Sequence, residues 1–499
     1  MIRKITLLLF AFSIISLHAQ TITIAGDPYS GNPYATIADA LAASINTSDV
    51  ILISGPVTES VTIDKGITLR GTDPNVDIIQ AAGAANTATT RVITINEGNY
   101  VVNIENLGIR YGNAPSTDNG GGIFADKVTG ELNLTNLKIE NNTTARNGGG
   151  LALDGTNANI VGCTIRDNSS SLEGGGAIFS PNNGAGMDST INIEQSLIDF
   201  NSGRNGGGMF INGNPAATMT QSISVNIENS TISNNNAFAT AGSSNGGGAI
   251  LSRSVNSPGN ITLELVHTTF YNNTHAAGDL KSGIQFLVPN GAGANFSAYN
   301  SIIVAADDVN VKAINFANSN TTAVINCVLG GLNAVPTLVT DVNNNNQTGR
   351  TATFAGLSGS FTDEGGTTQV LAISESSTAD DYCTAPTGIS IPTIDQRGFT
   401  REGTNDAGAY EVSGTLGVSD LKNSIVFSLY PNPAQALVFV KGVNALYSVE
   451  MFDITGKKVL NISNPLNNQF NIESFKSGVY LVKLTDVNND VSIKKLIIK

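Results

Sequence analysis

The stretch "VNIENSTISNNN" at 225–236 decides the fold, because "INIEQSLIDFN" at 191–201 and "LNLTNLKIENN" at 132–142 repeat its plan. Aligning the apolar residue near the end of each unit gives Ile109, Ile139, Ile165, Ile198, Ile232, Phe270 and Ile303, spaced 30, 26, 33, 34, 38 and 33 apart. Seven and five residues before these anchors sit Val102/Ile104, Leu132/Leu134, Ala158/Ile160, Ile191/Ile193, Val225/Ile227 and Leu263/Leu265. That alternation places each pair on one face of a strand. Three residues after the anchor comes Asn142, Asn168, Asn201, Asn235 or Asn273, with Gly112 in the first copy. A Gly triplet then opens the next strand, at 120–122, 148–150, 174–176, 206–208 or 246–248. A second polar column, three residues before the anchor, runs Asn106, Asn136, Gln195, Asn229, His267 and Asn300, interrupted once by Gly162.

A unit this thin cannot bury both of its faces alone, so its copies must stack. Stacked strands lie about 4.8 Å apart, which lets identical Asn side chains bond up and down the pile. Propeller repeats are longer, at about 40 to 50 residues with four antiparallel strands each. The expected fold is therefore all-β, a right-handed parallel β-helix. Composition agrees with a packed but turn-rich chain. Of 499 residues 53 are Gly, 40% are hydrophobic and only 13% are charged, so the chain buries a core without the period-three Gly of collagen. With 26 basic against 40 acidic residues the net charge is −14, which argues against a surface that tracks nucleic acid.

The ends carry addresses. Arg3 and Lys4, an apolar run from Ile5 to Ile15 and a small residue at Ala19 read as a signal peptide over residues 1–19. The run is too short to span about 30 Å of hydrocarbon as a helix, and no transmembrane anchor is expected elsewhere. Residues 20–412 read as the solenoid, 413–423 as a linker, and 424–499, with short strands between turn signals, as a small β-sandwich. From Val418 onward nine Lys stand against six Asp and Glu, so the tail carries +3 and the rest −17.

The units resemble the coils of pectin-lyase-like β-helices, and more closely surface proteins with F-x-x-N and G-G-A-I repeats, matched here by "FYNN" at 270–273, "IENN", "IRDN", "IDFN", "ISNN", "GGGAIF" and "GGGAIL". "YATIADALAAS" from residue 34 is similar to that fold's helical N-terminal cap, with Ile37, Ala40, Leu41 and Ile45 on one helical face. "DQRGFTR" at 395–401 and "DAGAYE" at 406–411 resemble the closing motif of secreted bacterial β-helix proteins. Its residues Asp395, Gln396, Arg397, Gly398, Arg401, Asp406, Gly408, Tyr410 and Glu411 read as structural, holding the last coil through bidentate hydrogen bonds. The tail resembles the type IX secretion sorting domain of the Bacteroidota. The matching positions are Tyr430, Pro431, Asn432 and Pro433, Asp453 with Gly456, Lys457 and Lys458, Gly478, Tyr480 and Lys483, and the basic end Lys494, Lys495 and Lys499. This resemblance implies export to the cell surface or medium, a secretion translocon and a sortase-like protease as partners, and removal of the tail.

Chemistry is sparser. The position after each anchor, outward by alternation, reads Arg110, Glu140, Arg166, Asp199, Ser233 and Tyr271, with Asp167 and Arg204 nearby. These charges either form an inert ladder of ion pairs or line a groove for sugar chains on a polysaccharide or on a host or neighbouring cell. In the resembling lyases a carboxylate cluster holds Ca²⁺ while Arg or Lys takes a proton, but no dense cluster occurs here. The expectation is a glycan- or surface-binding protein, with a polysaccharide lyase or glycoside hydrolase as the alternative. "DVNNNNQTG" at 341–349 and "DVNNDVS" at 486–492 lack the Gly and closing Glu of a Ca²⁺ hand, which leaves only loose Ca²⁺ binding and no other cofactor or metal site. His267, in the Asn column, reads as a hydrogen-bonded structural residue. Of the three cysteines, Cys163 and Cys327 read as inward and too far apart to join, and only Cys327 with Cys383 reads as a candidate disulfide.

Overall fold

The computed structural model describes residues 20–25, 33–115, 117–172, 174–181, 188–213, 222–238, 246–254, 260–275, 283–287, 294–305, 312–315, 320–333, 344–386, 388–412, 415–416, 428–441, 446–453, 457–463, 465, 468–486 and 491–499. Residues 1–19, expected above to be a signal peptide, most of 413–423, expected to be a linker, Gly456 and parts of both Asn-rich segments lie outside these residues. The chain divides into two compact units, Met1–Thr415 and Leu416–Lys499.

In the first unit the alternating segments stack as parallel strands, one per coil, into a parallel β-helix. The first sheet collects Val101–Glu105, Glu131–Thr135, Ala158–Val161, Ser189–Glu194, Ser222–Glu228 and Asn260–Val266 among its strands. The second takes Gly108–Arg110, Lys138–Glu140, Thr164–Arg166, Leu197–Asp199, Thr231–Ser233, Thr269–Tyr271 and Ile302–Val304. A third closes each coil, and a ladder of two-residue strands supports the turn between them.

The sequence columns are the pairing register. Ile109, Ile139, Ile165, Ile198, Ile232, Phe270 and Ile303 pair in succession, each at most 1% exposed. Burying each such side chain contributes roughly 1.5–3 kcal/mol, and the solenoid repeats that gain coil after coil. The Gly triplets need one adjustment. Third-sheet pairing aligns Gly120, Gly148, Gly175, Gly206 and Gly247, so the triplets at 174–176 and 246–248 run one residue early, and Ala177 and Ala249 take the place of the third glycine.

Two polar columns follow from backbone needs. The turn leaving the first sheet is one left-handed residue: Asn106, Asn136, Gln195, Asn229, His267 and Asn300 all have φ between 45° and 54°. Asn tolerates that region better than most side chains and Gly best of all, which explains why Gly162, at φ 63°, can interrupt the column. The other column is buried. Asn168 donates to the Ile139 carbonyl at 2.9 Å and to Asn201 Oδ1 at 3.0 Å, while its own Oδ1 accepts the Asn142 N–H and the Asn142 carboxamide, both at 3.0 Å. Asn201 and Asn235 repeat the pattern, so the carboxamides satisfy both themselves and the turn.

At the first coil a helix, Ile37–Ala43, adds Ile37, Ala40 and Leu41 to the solenoid core. Thr36 caps its start, the Glu59 carboxylate accepts the Ile37 and Ala38 N–H groups at 2.7 and 2.9 Å, and Lys65 donates to the Leu41 and Ser44 carbonyls at the other end. Ile45 does not share that face. The chain turns extended at Ser44, and Ile45 is 89% exposed.

The second unit is antiparallel. One sheet of Ser428–Tyr430, Leu437–Lys441 and Gln469–Asn471 and another of Leu446–Phe452, Lys458–Ser463, Gly478–Asp486 and Val491–Ile498 share a core. Leu429, Val438 and Phe470 meet Val449, Met451, Val482 and Leu496 there, as in a sandwich.

Candidate functional site

Arg110, Glu140, Arg166, Asp199 and Ser233 do occupy one register on the outer side of the second sheet. They are not equally displayed. The outward positions are partly exposed at Lys138, Glu140, Thr164 and Arg166, but Leu197, Asp199, Thr231 and Ser233 are buried. Further on, Ile302, Val304 and Val328 are apolar and join a separate core with Ala352, Ala355, Ile373, Ala379, Cys383 and Ala407.

The cover is the chain's own segment after the last coil, which runs back along the solenoid. Thr384 bonds Asn326 at 3.3 Å, Gly408 N donates to the Asn300 carbonyl at 2.8 Å, and Ala409 N donates to Thr269 Oγ1 at 3.0 Å. Arg401 donates to Asn229 at 2.9 Å, Thr231 to Gln396 at 2.6 Å, and Thr368 to the Gln195 carbonyl at 3.2 Å. Gly408, at φ 92°, is required by this approach, since a Cβ there would lie 2.7 Å from Thr269 Oγ1.

The closing-motif residues hold this segment in shape. Arg397 clasps Asp395 at 2.7 and 2.8 Å, donates to the Glu411 carbonyl at 2.6 Å, and lies over the rings of Tyr410 and Phe399 at 3.9 and 4.2 Å. Asp395 also accepts N–H groups from Arg397, Phe399 and Glu411, and Tyr410 donates to Glu364 at 2.6 Å. Arg401 pairs with Glu411 at 2.9 Å, both side chains within 2% of full burial. Asp406 accepts the Asp381 and Val412 N–H groups, and burial pushes its carboxyl up to about 7. Gly398 takes a left-handed turn of the motif at φ 85°.

The outward charges do not form an alternating ladder. Arg110 donates to the uncharged Gln80 one coil back at 3.0 Å, Glu140 lies 3.8 Å from Lys138 on its own strand, and of these charges only Arg166 approaches a charged neighbour across coils, 3.5 Å from Asp199. Asp167 sits in a left-handed turn residue, exposed, 3.2 Å from Arg166. Arg204 belongs to another turn, beyond the two-residue strand Ser202–Gly203, and donates to the Leu172 carbonyl at 3.1 Å. Asp199 is the unusual group. Neither carboxylate oxygen has a hydrogen-bond partner, and burial, opposed by Arg166 and reinforced by Asp167, raises its carboxyl to about 7.

Where the covering segment begins to leave the sheet, a cleft of about 310 Å³ opens. Lys138, Thr164 and Arg166 from the coils, Asn75 and Asn136 from the turns, and Asp363, Thr367 and Gln369 from the covering segment line it. Lys138 donates to Asn75 at 3.1 Å across its mouth. Of these, sequence reasoning singled out only Arg166 and the turn residue Asn136. Lys138 was legible as the outward residue two before Glu140, but the covering-segment residues had no local signal.

Other singled-out residues are structural. His267 is buried and accepts from Asn300 at 2.9 Å, and burial, then the Arg401 charge, pushes it well below its ordinary value. All three cysteines are buried free thiols, so Cys327 and Cys383 are not joined, and burial raises Cys163 and Cys327 to about 12. Among the described residues no group of three or more His, Cys, Asp or Glu could hold a metal ion.

In the second unit Tyr430 stacks on Phe439 with centroids 5.4 Å apart, while Pro431 and Pro433 follow it in the turn before the next strand. Asn432 ties that turn to the final strand, donating to the Lys495 carbonyl at 2.8 Å and accepting the Ile497 N–H at 2.9 Å. Asp453 accepts the Lys457 N–H at 3.1 Å. Lys458 and Lys483 flank Glu450, and despite its partial burial their hydrogen bonds hold Glu450 below the usual carboxylate range. Gly478 begins the long strand, Tyr480 donates to the Lys476 carbonyl at 2.9 Å, Lys494 lies in the last strand, and Lys499 N donates to the Ala434 carbonyl at 2.9 Å.

Residues 428–499 match the family model described as "Secretion system C-terminal sorting domain". No curated protein and no solved structure matches the chain. The sorting domain directs export through the type IX secretion machinery to the cell surface or the extracellular space. No helix among the described residues is long and apolar enough to cross a membrane.

Proposed function

We propose that this exported protein binds glycans at the cleft on its second sheet, displayed at the cell surface or released, with adhesion to a polysaccharide or a neighbouring cell as its role. The observation that carries the reading is the cleft lining: two cations, Lys138 and Arg166, against one carboxylate, Asp363, set among Asn75, Asn136, Thr164, Thr367 and Gln369, with Pro74 and Leu137 as its apolar members, so that hydrogen-bonding groups predominate. Arg offers a planar fork that matches a carboxylate in two bonds, so an acidic sugar is the favoured occupant. The sorting domain supplies delivery, with the translocon and a sortase-like protease as partners and the domain removed on arrival. Loose Ca²⁺ bridging between an acidic sugar and Asp363 fits this lining.

A lyase or hydrolase reading draws on Asp199, whose carboxyl near 7 lies 3.5 Å from Arg166. Against it, Glu140 and Asp199 stand two coils apart, roughly 10 Å, at the outer edge of the 5 to 9.5 Å that paired-carboxylate hydrolysis uses. Purified full-length chain should be tested on uronate and neutral polysaccharides, with and without Ca²⁺. Retention on polyuronate that is lost in Lys138→Ala/Arg166→Ala, with no products, supports binding. Unsaturated or reducing-end products overturn it in favour of catalysis.

A further inference from the structure

A third Asn column lies between the two inward residues of each first-sheet strand: Asn103, Asn133, Asn159, Asn192 and Asn226, in register on five consecutive coils. Unlike the turn column, it needs no left-handed backbone, since its residues sit within regular strands, where Asn is disfavoured. Unlike the buried column, its carboxamides bond no backbone group. Each donates only to the Asn one coil back, at 2.8 to 2.9 Å, and Asn103 ends the chain on Thr68 Oγ1 at 3.0 Å. All five are partly exposed. The ladder links neighbouring coils, but no turn and no backbone group requires Asn at these positions.

We propose that this outer ribbon of the first sheet binds a neutral polysaccharide chain laid along the solenoid axis, a site separate from the second-sheet cleft. Along the middle of the ribbon each carboxamide spends one of its two N–H groups and one of its two oxygen lone pairs on the ladder, which leaves one donor and one acceptor per coil facing out. That pair complements a hydroxyl, which both gives and takes a hydrogen bond. It recurs about every 4.8 Å over four intervals, roughly 19 Å. The ladder also fixes the side chains in advance, so binding does not have to order them. Charge argues for neutrality. Glu131 and Glu194 are exposed beside the ribbon, Glu194 stacks directly on Glu228, and Glu264 follows Asn226 in the column. Burial, with Glu194 and Glu264 opposing the charge, raises the Glu228 carboxyl despite Arg401. An anionic polymer is repelled where a neutral one is not.

Affinity electrophoresis of the full-length chain in gels containing galactomannan, xyloglucan or mixed-linkage β-glucan tests this. At least one should retard the protein to the same degree at low and high salt. Asn133→Thr/Asn159→Thr/Asn192→Thr, with β-favouring residues of similar size, should lose at least tenfold in affinity at an unchanged unfolding midpoint, whereas Lys138→Ala/Arg166→Ala should keep parental affinity. If the triple variant does not fold, single Asn159→Ser should still lose at least threefold. Retardation by none of the three polymers overturns the proposal, as does parental affinity in the Asn variants. Loss of binding in the Lys138/Arg166 variant would move the neutral site to the cleft and overturn it equally.

Discussion

Replacing Arg401 by Met removes the pin that holds the covering segment to the solenoid. The Arg401 side chain is 1% exposed and makes four contacts: Glu411 at 2.9 Å, Asn229 at 2.9 Å, and the Gly408 and Ile394 carbonyls, both at 3.1 Å. Met fills a similar volume but leaves Glu411, 2% exposed, facing only the Glu402 and Asp406 N–H groups. Breaking a buried pair from one side costs about 3–5 kcal/mol. Because repeat coils couple mainly to their neighbours, the loss should fall on docking of the segment rather than on the whole solenoid. Hydrogen exchange at the Gly408 and Ala409 amides, whose partners are Asn300 and Thr269, reads that docking directly. Protection there should fall by roughly two to nearly four orders of magnitude, while amides of the first coils, such as Ile93 N on the Gly122 carbonyl, stay unchanged. The defect should shrink as pH falls, because an unpaired Glu411, already raised by burial, then binds a proton. Adding Glu411→Gln should restore part of the protection at pH 8. A single variant with protection at Gly408 within tenfold of the parent would refute the idea that the pair pins the segment.

Asn201→Ala should cost about 3 kcal/mol or more, because the Asn168 N–H and carboxamide lose their acceptor and the Ile165 carbonyl its donor in a dry column, whereas Asn192→Thr on the outer face should stay within about 0.5 kcal/mol; denaturant melts of the two variants compare them. Asp199 contributes pH dependence of a definite sign. Its folded carboxyl titrates near 7, above the unfolded value, so the native state holds a proton that the unfolded chain has lost, and stability falls as pH rises from about 4 through 7, by up to roughly 4 kcal/mol. Asp199→Asn should remove that part of the slope in pH-dependent melts and leave the part due to Asp406, and an unchanged slope would count against the burial argument. Deleting residues 428–499 should leave the protein in the periplasm on cell fractionation, and continued surface display would contradict the sorting assignment.

Local chemistry made most of the solenoid legible. A column of Ile at fixed distance from paired apolar residues admits one register, since a slip of one residue turns every buried side chain outward. The tail was readable for a related reason, because its motifs lie close together in sequence. The site was less legible. Alternation correctly assigned Asp199 to the outer side of its strand, but being outward and being exposed are different properties, and a segment 150 to 200 residues later separates them. Ile45 failed similarly: helical periodicity runs on past Ser44, but the backbone does not. The third Asn column stands in the sequence as "VNI", "LNL", "ANI", "INI" and "VNI", between the paired apolar residues of each strand, but only those inward members carry the hydrophobic signal.

From sequence alone follow the coil, its register, its two backbone-serving Asn columns and its secretion address, because each depends on residues a few positions apart or on side chains that must match their copies one coil away. Tertiary structure alone decided which outward face stays open. The closing segment's own sequence reads as Asp/Arg pairs that brace a turn, and nothing in it names Asn229, Thr231 or Thr269 as partners. Those contacts exist because the late coils present Ile302, Val304 and Val328 outward, and apolar surface of that extent is driven under whatever chain can reach it. The covering stops where the outward residues turn to Lys138, Glu140 and Arg166, and there the cleft begins.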